Sequence, residues 1–279
     1  QILNGILELT AGDPARGPLL LATTNTYLGT LDLWERRREP ALRRFARAIE
    51  IADADTEMAG SVLLEAQLGR AVALAESGTE SDARVLFERT ITGIETQFGA
   101  DHPELSIAER RFADVLVRLG RAEEALVHLA RADRRCAETD AHADTGCLEV
   151  QLSRGVALGR LGRFDEAEVS VRGALADYER LIGASGADTN LTVAALGELM
   201  LQRGRHDEAA TLLRRAVDDY AATADADYPK LAEARLALAK ALTGDAAAAS
   251  DEARALARQA RDVFAARGGY YAGQPQDTQ

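Results

Sequence analysis

Small and large apolar residues recur along the chain at a fixed interval of 42 residues. Each repeat has an alanine, a large residue four positions later and a small residue three positions after that. Spacings of four and three place all three side chains on one stripe of an α-helix. The pattern therefore predicts a series of helices that each bury one such stripe. The alanines are Ala41, Ala83, Ala125, Ala167 and Ala209, the large residues are Phe45, Phe87, Leu129, Val171 and Leu213, and the third positions are Ala48, Thr90, Ala132, Ala174 and Ala216.

A second apolar helix precedes each of these, so every repeat predicts a helical hairpin. Twelve residues before the alanine the side chain is always small, which marks the point where the two helices cross. Three residues later comes a core-facing apolar residue, except for Asp32 in the first hairpin. This departure makes the first repeat the least regular, as expected of a terminal repeat. The small residues are Gly29, Ala71, Ala113, Gly155 and Gly197, and the apolar ones are Leu74, Leu116, Leu158 and Met200.

Glycines and acids mark the turn within the hairpins. Gly120, Gly162 and Gly204 are predicted to end the first helix in the left-handed conformation, and acids such as Glu123-Glu124 begin the second. Asp101-His102-Pro103 reads as the start of a helix, with Asp101 as its N-cap. Asp227-Tyr228-Pro229 lies three periods later, so a sixth, less regular hairpin follows. Ala239, Leu242, Ala253, Ala257 and Ala260 continue the small and apolar positions there.

Both ends of the chain fall outside this pattern. Residues 1–18 include a short apolar stretch and then Gly/Pro breaks, which fit either an N-terminal capping helix or the end of an upstream region. Residues 268–279 turn polar and are expected to form a disordered tail. Because the chain begins at Gln1, we expect a processed chain or a piece of a longer one.

Composition narrows the partners and the compartment. The net charge is −12, from 33 basic and 45 acidic residues, which argues against nucleic acid and anionic membrane as general partners. No apolar run approaches the ~20 residues that span a bilayer. Two cysteines in 279 residues do not make a disulfide framework, so a cytoplasmic location is expected.

The small-x-x-Leu positions, the Gly-Arg-x-x-Glu-Ala turn at Gly120–Ala125 and the stripe of large and small residues together resemble tetratricopeptide repeats. The 42-residue period and the linker Phe98-Gly99-Ala100-Asp101-His102-Pro103 are similar to the kinesin-light-chain type of that repeat. The resemblance covers Leu19 to Phe264 and implies an all-α fold. It implies a right-handed α–α superhelical solenoid of about six hairpins, with the array at residues 19–267 and a concave groove lined by the first helices.

The resemblance also implies a function, which is binding a protein or peptide as a scaffold or sensor module of a larger signalling or regulatory protein. One family feature is missing. An asparagine usually stands two residues before the small crossing residue and grips peptide backbone, and this grip is in doubt here because none of the six positions is asparagine. These positions hold Tyr27, Gly69, Arg111, Ser153, Ala195 and Ala237.

The repeat register predicts which side chains face the groove, and four of them are arginines in an acidic protein. Arginine binds carboxylates through two parallel hydrogen bonds, so this face fits a carboxylate or an acidic peptide. The alternative is solvated arginines, or arginines paired with Asp114, Glu149 or Glu198. The predicted partner-binding residues are Arg110, Arg111, Asp114, Arg118, Ser153, Arg160, Glu198 and Gln202.

Two further sets of residues have ordinary structural explanations. Tyr27, Leu33 and Trp34 could anchor a partner, but packing beneath the N-terminal helix is the favoured interpretation. Cys136, His142 and Cys147 lie in one linker, where a metal site would need a fourth ligand and tighter spacing, so buried thiols are expected.

No sequence pattern for catalysis is found. The chain has no phosphate-binding Gly-rich loop, no Gly-x-Ser-x-Gly and no His-Glu-x-x-His, so neither an enzyme nor a cofactor is expected. The alternative to partner binding is self-assembly into oligomers, or an intramolecular regulatory role beside an attached kinase or NTPase domain.

Overall fold

The computed structural model describes residues 17–53, 60–138, 145–224, 228–244 and 249–266, and over these ranges the chain forms twelve α-helices and no β-strand. The expected N-terminal helix, His142 and the expected C-terminal tail lie outside the described residues. The helices are α1 Gly17–Trp34, α2 Arg38–Asp53, α3 Gly60–Glu76, α4 Glu80–Phe98, α5 Pro103–Arg118, α6 Ala122–Glu138, α7 Thr145–Arg160, α8 Phe164–Ile182, α9 Ala187–Gln202, α10 His206–Thr223, α11 Pro229–Thr243 and α12 Asp251–Ala266.

Consecutive helices pair in the first, second, fourth, fifth and sixth predicted hairpins, and the chain divides into two compact units after Val115. The division falls within α5, the first helix of the third hairpin. In unit 1, which ends at Val115, α1 packs on α2 and α3 on α4, and the first helices α1 and α3 also touch. In unit 2, which starts at Leu116, α7 packs on α8, α9 on α10 and α11 on α12. There the first helices α7, α9 and α11 contact one another in order. The predicted all-α repeat fold is therefore confirmed.

The small residues of the first helices lie at the helix crossings, as predicted. A Cβ atom added to Gly155 would stand 2.3 Å from Val171 Cγ2, and one added to Gly197 would stand 2.6 Å from Leu213 Cγ. Real Cβ atoms do not approach so closely, so the second helix can pack here only against glycine. The alanines and large residues of the repeated stripe are all buried. The 42-residue pattern thus encodes the contact between the two helices of a hairpin.

The turn glycines adopt the left-handed conformation that the sequence predicts. Gly120 has a φ of +77°, and the next N–H, of Arg121, donates to the carbonyl oxygen of Leu116 over 2.8 Å. This hydrogen bond satisfies a carbonyl that the helix end leaves open. In the first hairpin the equivalent residue is Arg36, which takes a φ of 61° although it carries a side chain.

Asp32 replaces a core-facing apolar residue without leaving a bare buried charge. Its side chain is buried, and its two oxygens meet Arg37 Nη2 at 2.6 Å and Arg44 Nε at 2.9 Å. A buried carboxylate is tolerated when it is paired in this way. The irregular first hairpin therefore replaces an apolar contact with an ionic one.

The predicted N-cap at Asp101 is wrong, because the neighbouring His102 caps α5 instead. The backbone N–H of Glu104 donates to His102 Nδ1 over 3.3 Å. The imidazole ring also stacks on Phe98, with ring centroids 4.7 Å apart. The stacking fixes the ring next to the helix start, where its nitrogen can accept the hydrogen bond that an aspartate side chain would otherwise take.

An ionic cluster joins the fourth and fifth hairpins. Glu168 on α8 lies 2.8 Å from Arg172, 2.5 Å from Arg203 and 3.0 Å from Arg205. Burial opposes ionisation, yet the hydrogen bond and charge of Arg172, together with Arg205, hold the pKa of Glu168 below its ordinary value. The cluster therefore contributes to holding adjacent repeats together.

Candidate partner-binding face

Two of the predicted groove arginines, Arg110 and Arg111, lie in unit 1 and are engaged in ion pairs. Arg110 Nη1 is 2.8 Å from Asp114 Oδ2, one of the pairings that the sequence left open. Arg111 forms two contacts with Glu65 on α3, at 2.9 and 3.1 Å. Glu65 was missed as a partner, although it stands 42 residues before Ile107, which the register also places on the groove side. A new carboxylate would have to displace these partners.

The other two groove arginines lie in unit 2 and are accessible. Arg118 is at the C-terminal end of α5 and Arg160 at the C-terminal end of α7, and both are exposed. Neither forms an ion pair with any residue that the structure describes. A guanidinium at a helix C-terminus is favoured by the helix dipole, which helps to hold it there without a side-chain partner.

The helices α7, α9 and α11 contact one another in order, and we use the name unit 2 face for the exposed and half-buried residues that share one side of these helices by the repeat register. It carries apolar and charged side chains together: Val156 and Leu191 are each 37% exposed. The first two helices approach closely at their C-terminal ends, since a Cβ on Gly159 would lie 3.5 Å from Gln202 Oε1. The residues of the face are Ser153, Val156 and Arg160 on α7, Leu191, Glu198 and Gln202 on α9, and Glu233 and Lys240 on α11.

Glu198 has an unusual environment on this face. Its pKa is raised, first by desolvation and next by the negative charge of Glu233, although Lys230, Arg160 and Lys240 act in the opposite direction. The residue as a whole is exposed, while its helix α9 is packed against by both α7 and α11, whose proximity lowers the hydration of the carboxyl group. No described basic group forms an ion pair with Glu198.

Cys136 and Cys147 form a disulfide, so the expectation of two buried thiols is wrong. Their Cα atoms are 5.7 Å apart, at the end of α6 and the start of α7. The repeat register explains the contact. Two periods later the equivalent positions hold Tyr220 and Leu231, and these two residues pack in one buried cluster. Each sulfur is bonded to the other, which leaves neither as a thiolate ligand for a metal.

The aromatic residues of α1 are exposed rather than packed. Tyr27 is 64% and Trp34 is 69% exposed, whereas Leu33 packs against the cluster that contains Ala41 and Phe45. The favoured packing interpretation is therefore wrong for Tyr27 and Trp34, whereas Leu33 is packed, against this cluster. The N-terminal stretch beneath which they were expected to pack lies outside the described residues.

Other kinds of site have little support in the described structure. An open cleft of about 670 Å³ lies between α3 and α4 in unit 1, where Gln67, Val85 and Thr90 contribute to its walls. Among the described residues no group of three His, Cys, Asp or Glu side chains is placed to hold a metal ion. No described helix is both long and apolar enough to cross a membrane.

Comparisons with known proteins identify the repeat. Residues 145–222 match the model of the tetratricopeptide repeat family. No curated protein matches the chain. Among solved structures, BtubC (BKLC) from P. vanneervenii is similar with a TM-score of 0.67 and 20% identity, over 84% of this chain and 93% of that chain.

Two other solved structures extend the similarity. The putative kinesin light chain with nearly identical TPR-like repeats from Podosopora anserina has a TM-score of 0.57 and 20% identity, over 74% of this chain and 96% of that chain. The Rap protein complexed with Competence and Sporulation Factor has a TM-score of 0.67 and 17% identity, over 95% of this chain and 72% of that chain. At these identities the likeness establishes the fold. Residues 145–222 are thus tetratricopeptide repeats, and the chain has the fold of TPR-like repeat proteins, kinesin-light-chain-like repeats among them, as the sequence resemblance predicted.

Proposed function

We propose that this chain is a protein- or peptide-binding module, and that the unit 2 face is where it holds a segment of its partner. The observation that carries this proposal is Arg160, an exposed guanidinium without an ion-pair partner in the described chain, next to the exposed apolar Val156. A surface that combines exposed apolar area with an unpaired charge is suited to binding a peptide, which can cover the apolar area and pair with the charge.

The state of the four groove arginines favours unit 2 over unit 1. Arg111 would have to give up a two-contact pair with Glu65 before it could bind a carboxylate. Arg160 has no such partner to lose, so its hydrogen bonds to a carboxylate would add to affinity at about 1.5–3 kcal/mol before the cost of ordering. We therefore infer that an acidic residue of the partner binds at Arg160, with Arg118 as a further basic group in the same unit.

The fold supports a binding role rather than chemistry. TPR-like repeats present extended surfaces to other chains, and the similar Rap protein was solved in complex with Competence and Sporulation Factor. We infer that this chain acts in the same general way, as a scaffold or sensor module within a signalling or regulatory protein. Its partner is then a protein or peptide segment with acidic character.

Selection from a display library of random 12-residue linear peptides on the purified chain tests the proposal. We expect peptides that carry an Asp or Glu to be enriched, and Arg160→Glu to weaken their binding about tenfold or more in fluorescence anisotropy. Arg258→Glu is the matched control, since Arg258 is exposed on the second helix α12. Absence of enrichment, or equal losses in both variants, would refute a binding site on the unit 2 face. Light scattering of the free chain separates this outcome from self-assembly.

A further inference from the structure

The side chain of Glu198 on the unit 2 face lies in an environment that disfavours its ionised form. Glu198 lies on α9 between α7 and α11, both of which pack against α9. The flanking helices reduce its hydration and Glu233 adds a like charge. An exposed glutamate usually avoids both conditions by pointing into water or by pairing with a base. Glu198 is also exposed and forms no ion pair with any described residue, so no described ionic contact of the fold depends on its charge.

The charged groups around Glu198 do not neutralise it directly. On α7 the nearby charge is Arg160, and on α11 the charges are Lys230, Glu233 and Lys240. Lys230 Nζ is 2.8 Å from Glu233 Oε2, so that ammonium already has a carboxylate. Arg160 and Lys240 act on Glu198 only through space, without an ion pair in the described chain. The face thus holds an exposed carboxyl group and an exposed guanidinium on adjacent helices.

We propose that Glu198 receives a basic side chain of the bound segment, while Arg160 receives an acidic side chain of the same segment. The partner is then a segment that carries a lysine or arginine and an aspartate or glutamate, rather than a uniformly acidic one. This inference rests on the proposed function, because it concerns the same face, and it names the chemistry that the face selects.

The geometry of packed helices sets the spacing of the two partner charges. The axes of packed helices lie about 8–10 Å apart, and an extended peptide advances about 3.3 Å per residue. The basic and the acidic residue should therefore stand about three positions apart in the segment. Val156, one turn before Arg160 on α7 and at the register of Glu198, is partly exposed, so a small or apolar residue fits between the two charges.

The raised pKa of Glu198 gives a second, independent readout. Burial and Glu233 make the ionised form less favourable, so the ionised carboxylate destabilises the folded chain above that pKa. Glu198→Gln should therefore raise the thermal midpoint at neutral pH while it weakens binding. A purely structural role for Glu198 predicts the opposite change in stability. Binding of a cation to the wild type should also weaken as the pH falls through the pKa of Glu198.

The peptide selection is repeated on the wild type and on Glu198→Lys. We expect the wild type to enrich peptides with Lys or Arg about three residues from an acid, and Glu198→Lys to enrich peptides without that base. A synthetic wild-type-selected peptide should bind Glu198→Lys at least tenfold more weakly and Glu198→Gln severalfold more weakly. Asp218→Lys, an exposed position on the second helix α10, is the control and should leave affinity within twofold.

The outcomes separate the two proposals. Selected peptides that require Arg160 but lack a base, or that bind Glu198→Lys equally well, would overturn the role of Glu198 and leave the proposed function standing. A selection that enriches nothing on the wild type overturns both. Weakened binding to Glu198→Gln together with a raised thermal midpoint supports the inference and excludes loss of folding as the cause.

Discussion

Removal of the Cys136–Cys147 disulfide should destabilise the boundary between the third and fourth hairpins. The bond joins residues 11 apart in sequence, at the end of α6 and the start of α7. Closing a loop of about this length restricts the unfolded chain by an entropy of about 9 cal/mol/K, or about 2.8 kcal/mol at 25 °C. The double variant Cys136→Ala/Cys147→Ala should lose about that much, with some further loss because both side chains are buried.

A register-matched variant distinguishes the cross-link from the packing at these positions. Tyr220 and Leu231 occupy the equivalent positions two boundaries further on and pack in one cluster. Cys136→Tyr/Cys147→Leu should therefore regain part of the packing energy but none of the chain-entropy contribution. If this pair restores the full wild-type stability, packing rather than cross-linking holds the boundary.

Urea unfolding followed by circular dichroism, with hydrogen exchange along α6 and α7, measures the effect. Repeat arrays can unfold in parts, so the exchange data show whether the loss is local. Wild-type chain that takes up two alkyl groups without prior reduction would contradict the disulfide itself. A free energy of unfolding unchanged to within about 0.5 kcal/mol in the alanine variant would refute the entropic reasoning.

Three further predictions concern the repeat scaffold. Arg36→Gly should raise the free energy of unfolding by about 0.5–1 kcal/mol in thermal melts, because Arg36 holds a left-handed φ of 61° where later turns have glycine; no gain would show that its ion pair with Glu76 dominates. Gly155→Ala should cost about 1–3 kcal/mol in urea unfolding, whereas Gly93→Ala, which has open space around it, should gain about 0.5–1 kcal/mol; similar signs would refute the crossing argument. Glu168→Gln should lower stability at neutral pH. The pKa of Glu168 is lower in the folded chain than in the unfolded chain, so its contribution to stability is present above the unfolded pKa and disappears as the pH falls through the folded pKa. The difference in melting temperature between Glu168→Gln and the wild type should therefore vanish in acid. A difference that stays constant with pH would contradict this linkage.

The repeated part of the sequence predicted the hairpins in detail, because each repeated position has a single packing role. The small crossing residue at Gly155 and the large residue at Val171 are 16 positions apart, and the structure brings them into contact as the register requires. A local rule of helix spacing, copied along the chain, is enough to place such pairs. Turn glycines such as Gly120 follow from an equally local rule.

Contacts between one hairpin and the next were harder to predict. The partner of Arg111 is Glu65, which lies 46 residues away and whose side-chain direction depends on how neighbouring first helices pack. The disulfide follows the same logic: the register aligns Cys136 with Tyr220 and Cys147 with Leu231, and that alignment would have revealed the pair. Cysteine spacing alone suggested only thiols or a metal. The cap at His102 depended on ring stacking with Phe98, which no local pattern encodes.

Some positions have the same place in every repeat but carry different side chains, and these are the positions that would distinguish one partner from another. The crossing position holds only glycine or alanine in five hairpins, because packing allows nothing larger. The position of Glu198 is different, since its equivalents one and two periods earlier are Val156 and Asp114, and Lys240 follows one period later. A position that holds apolar, acidic and basic residues in successive repeats is not fixed by the packing within the hairpin. The charges at this position in successive repeats are therefore free to match those of a partner. The Glu198 variants test this at a residue whose substitution should stabilise the folded chain.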